Sequence, residues 1–223
     1  MANRSTLSKR KYKQLALESL RNALRLLRDA IALYDRGSFP TAFQLAVLAM
    51  EEYAKAKWVD HVYDAAVTNE GFGGEEFEQS WLKLLYLHSK KQEAFAWREY
   101  YEFSPKFLSA VSDGGLDRKK QAATYVGLPK KGKLVDVNAR VSTPTSITQR
   151  DAKQIISLIA REVRDVYRLI ERADSYFGIM ELDEVIKSHE AMVAFSWKHG
   201  SGLKSLRFRP AHGQKKPLRS KAP

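Results

Sequence analysis

The sequence predicts an all-α fold, an up-and-down bundle of four long helices with a small hairpin-like insertion and basic tails. Three observations carry this: apolar residues recur at three- and four-residue spacing over long stretches, small residues line one of those stretches, and glycine or proline marks the breaks between them. The 223 residues, 44% of them hydrophobic, suffice for one sizeable core. The helical domain is expected over residues 14–197, between a basic extension at 1–13 and a basic tail at 198–223 whose composition predicts disorder.

The first helix is expected from Ser8 to Asp35, with Ala16, Leu20, Ala23, Leu27, Ile31 and Tyr34 forming one stripe. Gly37 stops it, and Ser38 with Pro40 opens the second, so the two run antiparallel. That second helix, Phe39 to Val67, carries Ala42, Ala46, Ala49 and Ala56, small residues that let neighbouring helices approach closely. Three glycines in residues 69–74 end it. A third helix is expected from Glu75 to Glu102, with Trp81, Leu84, Leu85, His88, Gln92 and Phe95 along one face. From about Ser112 to Thr145 the pattern shifts to a turn at Asp113-Gly-Gly and two short β-prone runs, Ala122–Val126 and Lys133–Val137, which predict the hairpin-like insertion. The fourth helix, Gln149 to Phe177, has Ile155, Ile156, Ile159, Val163, Val166, Tyr167 and Ile170 as its stripe, and a shorter helix is expected at about Leu182 to Trp197.

Composition narrows the function. The absence of cysteine removes disulfides, thiol nucleophiles and Cys-ligated zinc. No signal-like segment and no apolar run long enough to span a bilayer is present, so a cytoplasmic protein without a membrane partner is the expectation. The net charge of +12 suggests nucleic acid, but residues 198–223 hold eight basic residues and residues 1–13 hold five, with no acid in either, leaving 14–197 at −1. Such ends can hold phosphates through counterion release, or simply keep a protein soluble. Arg207 and His212 match an Arg-x4-His ribonuclease spacing, but Pro210 and Gly213 leave nothing to hold them in register, and the match reads as coincidence.

The residues that could carry chemistry lie elsewhere. Glu51, Glu52 and Lys55 fall within one turn of the second helix amid Leu48, Ala49, Met50, Tyr53, Ala54 and Ala56, and two acids in such surroundings require partners. His88 shares the apolar face of the third helix, with Lys91 one turn on. Packed antiparallel, the two helices would bring these side chains together. A histidine could then exchange protons with a 2′-hydroxyl or leaving oxygen while a lysine stabilises phosphate charge. The same groups suit a phosphate or nucleotide pocket, or an interhelical network that fixes helix register. One histidine and two acids fall short of the Glu plus Glu-x-x-His pattern of di-iron bundles, so no metal or cofactor is expected.

The runs Ala46-Val-Leu-Ala-Met-Glu-Glu-Tyr-Ala-Lys-Ala56, Leu87-His-Ser-Lys-Lys91 and Lys119-Lys-Gln-Ala-Ala-Thr-Tyr-Val126, in this order, resemble the AbiV family of abortive-infection proteins, a branch of the HEPN superfamily. The resemblance covers about Leu15 to Tyr176. It implies a bacterial anti-phage role, a HEPN-like four-helix bundle, and Glu52, Lys55, His88 and Lys91 as the positions matching the family pattern. It also implies action on RNA or the translation machinery, as a metal-independent ribonuclease or, alternatively, a role as a non-catalytic module binding nucleotide, RNA or a phage protein, with a phage-encoded protein as trigger and assembly as a homodimer. The chain departs from many HEPN ribonucleases in lacking an Arg-x4–6-His pair in its body: Lys83 stands where the arginine would, a point charge without the planar fork. Glu51, Lys83, Lys119, Lys120 and Tyr125 complete the candidate site as binding residues, with packing within the hairpin as the alternative for Tyr125.

Overall fold

The computed structural model describes residues 6–96, 101–102, 105–128, 130–131 and 134–188, together with residues 191, 197, 199 and 209–210. Most of the tail at 198–223, including Arg207 and His212, lies outside them, as do residues 189–190 and 192–196 of the short helix expected up to Trp197.

Helix α1, Lys9–Asp35, begins where Ser8 accepts the Lys11 N–H. It ends in a Schellman motif, with Ser38 N–H bonded to Leu33 O and Gly37 N–H to Tyr34 O. That closure needs the left-handed backbone of Gly37, at φ +79°. Helix α2, Phe39–Ala65, then returns against α1 and is closed by a π-helical turn at Ala66–Glu70. Its buried residues include Ala42, Phe43, Ala46, Val47, Ala49, Met50, Tyr53, Ala54, Ala56 and Val59, so it is covered on most sides. The covering helices are α1, α4 (His88–Ala96) and α7 (Gln149–Ala173), and the four make an all-α bundle. No helix of the described residues is long and apolar enough to cross a membrane.

The expected third helix is two helices. Helix α3, Glu75–Leu84, stops in i→i+3 bonds from Leu85, Tyr86 and Leu87 N–H to Leu82, Lys83 and Leu84 O, and α4 restarts at His88. Leu85 is buried at the break, whereas Tyr86 and Leu87 are exposed. Trp81, Leu85, His88, Gln92 and Phe95 keep heptad spacing across it, which is why periodicity does not register the interruption. Residues 97–100 of the expected helix lie outside the described ones.

The insertion is also more helical than expected. Helices α5, Pro105–Ser112, and α6, Gly115–Ala122, pack on each other, and Asp113 Oδ1 accepts the Gly115 N–H to open α6. The run Ala122–Val126 is therefore not a strand: Thr124 and Tyr125 donate their N–H groups back to Gln121 O. Lysine, glutamine and alanine favour this helix, as do Asp117 in its first turn and Lys119 and Lys120 in its last. A two-residue hairpin does form further on, where Lys130–Lys131 pairs with Leu134–Val135 beyond a Gly127–Ser142 bridge. Tyr101–Glu102 also pairs with Arg209–Pro210. Helix α7 begins with a capping box, Thr148 with Asp151, and buries Ile155, Ile156, Ile159, Val163, Val166 and Ile170.

The end of α2 is tied to the start of α8, Met180–Lys187, by Asp60. Its buried carboxylate accepts the Ile179 N–H at 2.8 Å and the Gly178 N–H at 3.4 Å. Burial pushes its pKa up to about 6, against the pull of these two N–H groups and with help from Asp64 and Asp183. A carboxyl raised in the folded state contributes stability that is fully present below its unfolded pKa and lost as pH rises through about 6. Asp60→Asn removes that slope. In urea unfolding the variant gains about 2–3 kcal/mol relative to the native sequence between about pH 4 and pH 7. A Cβ on Gly178 would stand 2.5 Å from the Asp64 Cβ, an atom that moves only with α2. Gly178→Ala is accordingly expected to lower stability by about 1–3 kcal/mol in the same assay.

Candidate functional site

Glu51 and Glu52 are neighbours on α2 and so point about a quarter-turn apart. Glu51 faces α4 and α6 and is fully buried; Glu52 faces α1, where Asn22 Nδ2 approaches Oε2 at 3.4 Å. A buried carboxylate demands donors, and Glu51 is supplied from two directions. From α4, His88 Nδ1 lies 2.5 Å from Oε2 and Gln92 Nε2 donates to Oε1 at 2.8 Å. From α6, Lys120 Nζ donates to Oε1 at 2.9 Å. Lys91 stands further off, 3.7 Å from Glu51 and 3.6 Å from Glu52.

The remaining charges close the arrangement. Lys55 pairs with Glu52 at 2.7 Å, and Lys120 also reaches Asp117 of its own helix at 2.9 Å. Glu51, Glu52 and Asp117 thus face Lys55, Lys91 and Lys120, and the cluster is neutral when His88 is neutral. Lys91 is the ammonium least committed to one carboxylate. Against an ionised Glu51, which only accepts, neutral His88 carries its proton on Nδ1 and leaves Nε2 as a base. The imidazole side chain is 52% exposed, and among the described residues its Nε2 has no hydrogen-bond partner. The arrangement is a half-exposed histidine held at Nδ1 by a buried carboxylate.

Six of the nine residues expected from the sequence meet here: Glu51, Glu52, Lys55, His88, Lys91 and Lys120. Three do not. Lys83 is exposed on α3, across the Leu85–Leu87 break from His88, so the two do not share the continuous helix an Arg-x4–6-His pair would. Lys119, adjacent to Lys120, turns instead to α7, pairing with Asp151 at 2.6 Å and lying over the Phe43 ring. Burial raises the Asp151 carboxyl, but the Lys119 ammonium and the Thr148 backbone and hydroxyl outweigh it, and the net pKa is lowered. Tyr125 is exposed beyond the end of α6.

Gln92, Asn22 and Asp117 join the cluster although sequence reasoning did not select them as site residues. Gln92 carried a readable signal: a polar residue one turn after His88 on the same buried face. Asn22 and Asp117 carried none, because their partners come from other helices or from the fold of α6. Among the described residues no three histidine, aspartate or glutamate side chains converge to hold a metal ion.

The all-α bundle, with its half-exposed histidine seated on a buried carboxylate between helices, is consistent with a HEPN-like module. The family model for AbiV matches residues 11–165, and the chain belongs to this family of abortive-infection proteins. The match runs from α1 into α7 and contains every residue of the cluster. Comparison with curated proteins and with solved structures gives no match.

The buried position of Glu51 generates a stability prediction. Glu51→Gln leaves the buried ammonium groups of Lys120 and Lys91 beside a neutral amide, and is expected to cost about 3–5 kcal/mol in urea unfolding. Glu52→Gln, at a side chain 16% exposed whose partner Lys55 is 15% exposed, is expected to cost less, about 1–3 kcal/mol.

Proposed function

We propose that this chain is an anti-phage abortive-infection effector that acts on RNA as a metal-independent ribonuclease, with His88 as its proton-transferring group. The observation that carries this reading is the Glu51–His88 pair: a half-exposed imidazole whose Nδ1 is fixed at 2.5 Å by a fully buried carboxylate. That geometry fixes the tautomer and stabilises the imidazolium once a proton is taken. Nε2 would take the proton of a ribose 2′-hydroxyl as the oxygen attacks phosphorus; the bond from phosphorus to the 5′-oxygen would break, leaving a 2′,3′-cyclic phosphate, and the imidazolium would return its proton to the departing 5′-oxygen, with Lys91 turning toward the phosphate from its loose position between the two acids. Action in the cytoplasm, a homodimer with facing sites and a phage-encoded trigger belong to the same reading and rest on the family.

A second reading, a non-catalytic module that binds nucleotide, RNA or a phage protein, draws on a different observation. Every ammonium of the cluster already faces a carboxylate, so the site as a whole does not attract an anion. In that case the cluster fixes the register of α2, α4 and α6.

His88→Ala separates the two. Under the ribonuclease reading the variant loses RNA cleavage and phage restriction while still unfolding cooperatively, with a stability loss of about 1–3 kcal/mol from the exposed carboxylate oxygen. Full restriction by a folded His88→Ala protein would rule that reading out. RNA left intact by the native protein, together with a lowered melting temperature for the variant, is the result expected of the module.

A further inference from the structure

The two oxygens of Glu51 have divided roles. Oε2 receives His88, whereas Oε1 receives Gln92 at 2.8 Å and Lys120 at 2.9 Å. Gln92 is fully buried, and its own Oε1 has no hydrogen-bond partner among the described residues. The amide therefore keeps its orientation because of Glu51: reversed, it would set oxygen against oxygen. Gln92 in turn stops the carboxylate from rotating its Oε2 away from His88.

Lys120 differs in origin. It is carried by α6, a separate eight-residue helix seated by the burial of Leu116 and Ala123 and by the Lys119–Asp151 pair at the start of α7. Its ammonium reaches Glu51 only while α6 is seated, and it is the closest full charge on that carboxylate. An ammonium at that distance competes with an imidazolium for the same negative charge.

We infer that Lys120 sets the proton affinity of His88 through Glu51, with Gln92 as the residue that holds the shared carboxylate in place, so that the seating of α6 is coupled to the charge state of the site. The other charged groups facing the pair are Glu52 and Lys55 from α2, Lys91 from α4 and Asp117 from α6. Asn22 from α1 is neutral, and Asp151 of α7 is taken up by Lys119. With Lys120 removed, Glu51 keeps Lys91 at 3.7 Å as its remaining ammonium, and the pair holds its proton more tightly. Gln92 and Lys120 are positioning residues here, since neither needs to touch substrate. The inference rests on His88 being the proton-transferring group, but its test does not depend on RNA cleavage.

The test is nitrogen NMR of the full chain labelled in histidine, with His88→Ala assigning the signal among the five histidines. In the native sequence neutral His88 is expected as the Nδ1–H tautomer, the reverse of the preference of free imidazole side chains. Lys120→Met should raise the proton affinity of the His88–Glu51 pair about tenfold, moving its midpoint up by about one pH unit. Lys120→Arg should restore the native midpoint. Gln92→Leu should shift the tautomer toward Nε2–H. An unchanged midpoint in folded Lys120→Met, or an equal shift in Lys120→Arg, overturns the inference. Should Lys120→Met fail to fold, Asp117→Asn reads the same circuit in the opposite sense: it frees Lys120 for Glu51 and should lower the midpoint, and no change there overturns the inference equally. The expected titration with RNA left intact retires the ribonuclease reading alone. Cleaved RNA with a midpoint indifferent to Lys120 retires this inference alone.

Discussion

A carboxylate in the middle of a helix that is itself in the middle of a bundle cannot be satisfied by its own helix, because the backbone donors there are already spent. Glu51 is in that position, and its partners must come from α4 and α6. Left without them, an ionised group so buried would cost more than the typical margin of stability of a domain this size. The interaction therefore constrains structure as well as chemistry: α4 must restart at His88 in the phase that returns Gln92 to α2, and α6 must be a helix so that Lys120 reaches inward while Lys119 reaches α7. The bundle could bury apolar surface in several registers; this hydrogen-bonded acid admits few.

Other buried acids show that the need is general while the solutions differ. Asp60 is met by backbone N–H groups at the entry to α8. Glu78 takes the Tyr12 hydroxyl at 2.8 Å and the Leu7 N–H. Glu162 takes the Tyr53 hydroxyl at 3.2 Å, with Lys57 at 3.8 Å. None of these places an imidazole at the surface. Glu51 is distinguished by its partner, since a carboxylate satisfied by backbone or tyrosine is spent on architecture, whereas one satisfied by a half-exposed histidine also orients a base.

How much of this could be read from residues follows from where each determinant lies. The stripes of α1 and α7 and the glycine closing α1 are local, and the sequence displays them. The break at Leu85–Leu87 preserves heptad phase and so leaves no mark in the pattern, although it separates Lys83 from His88. The run after Lys120 contains threonine, tyrosine and valine, a β-prone signature, yet its first residues complete a helix whose Lys120 side chain is drawn in by an acid 69 positions away. Adjacent acids among alanines and methionine were legible as an anomaly. Which of the two would be buried depends on where α4 and α6 pack, and no spacing on α2 records that.

The same non-locality bears on how, under the proposed ribonuclease reading, a neutral cluster would serve a reaction on a polyanion. A permanently unpaired set of lysines would bind phosphate tightly, but it would be costly to bury and would bind any phosphate at any time. Here the ammonium groups are held by carboxylates, and the least constrained of them, Lys91, sits between two acids at distances too long for hydrogen bonds. Releasing it costs little direct bonding. Protonation of His88 would give the cluster one positive charge just as negative charge accumulates on phosphorus, so attraction would grow along the reaction coordinate instead of preceding it. Under the proposed ribonuclease reading, a charge-balanced site with one proton-dependent charge would bind RNA weakly at rest.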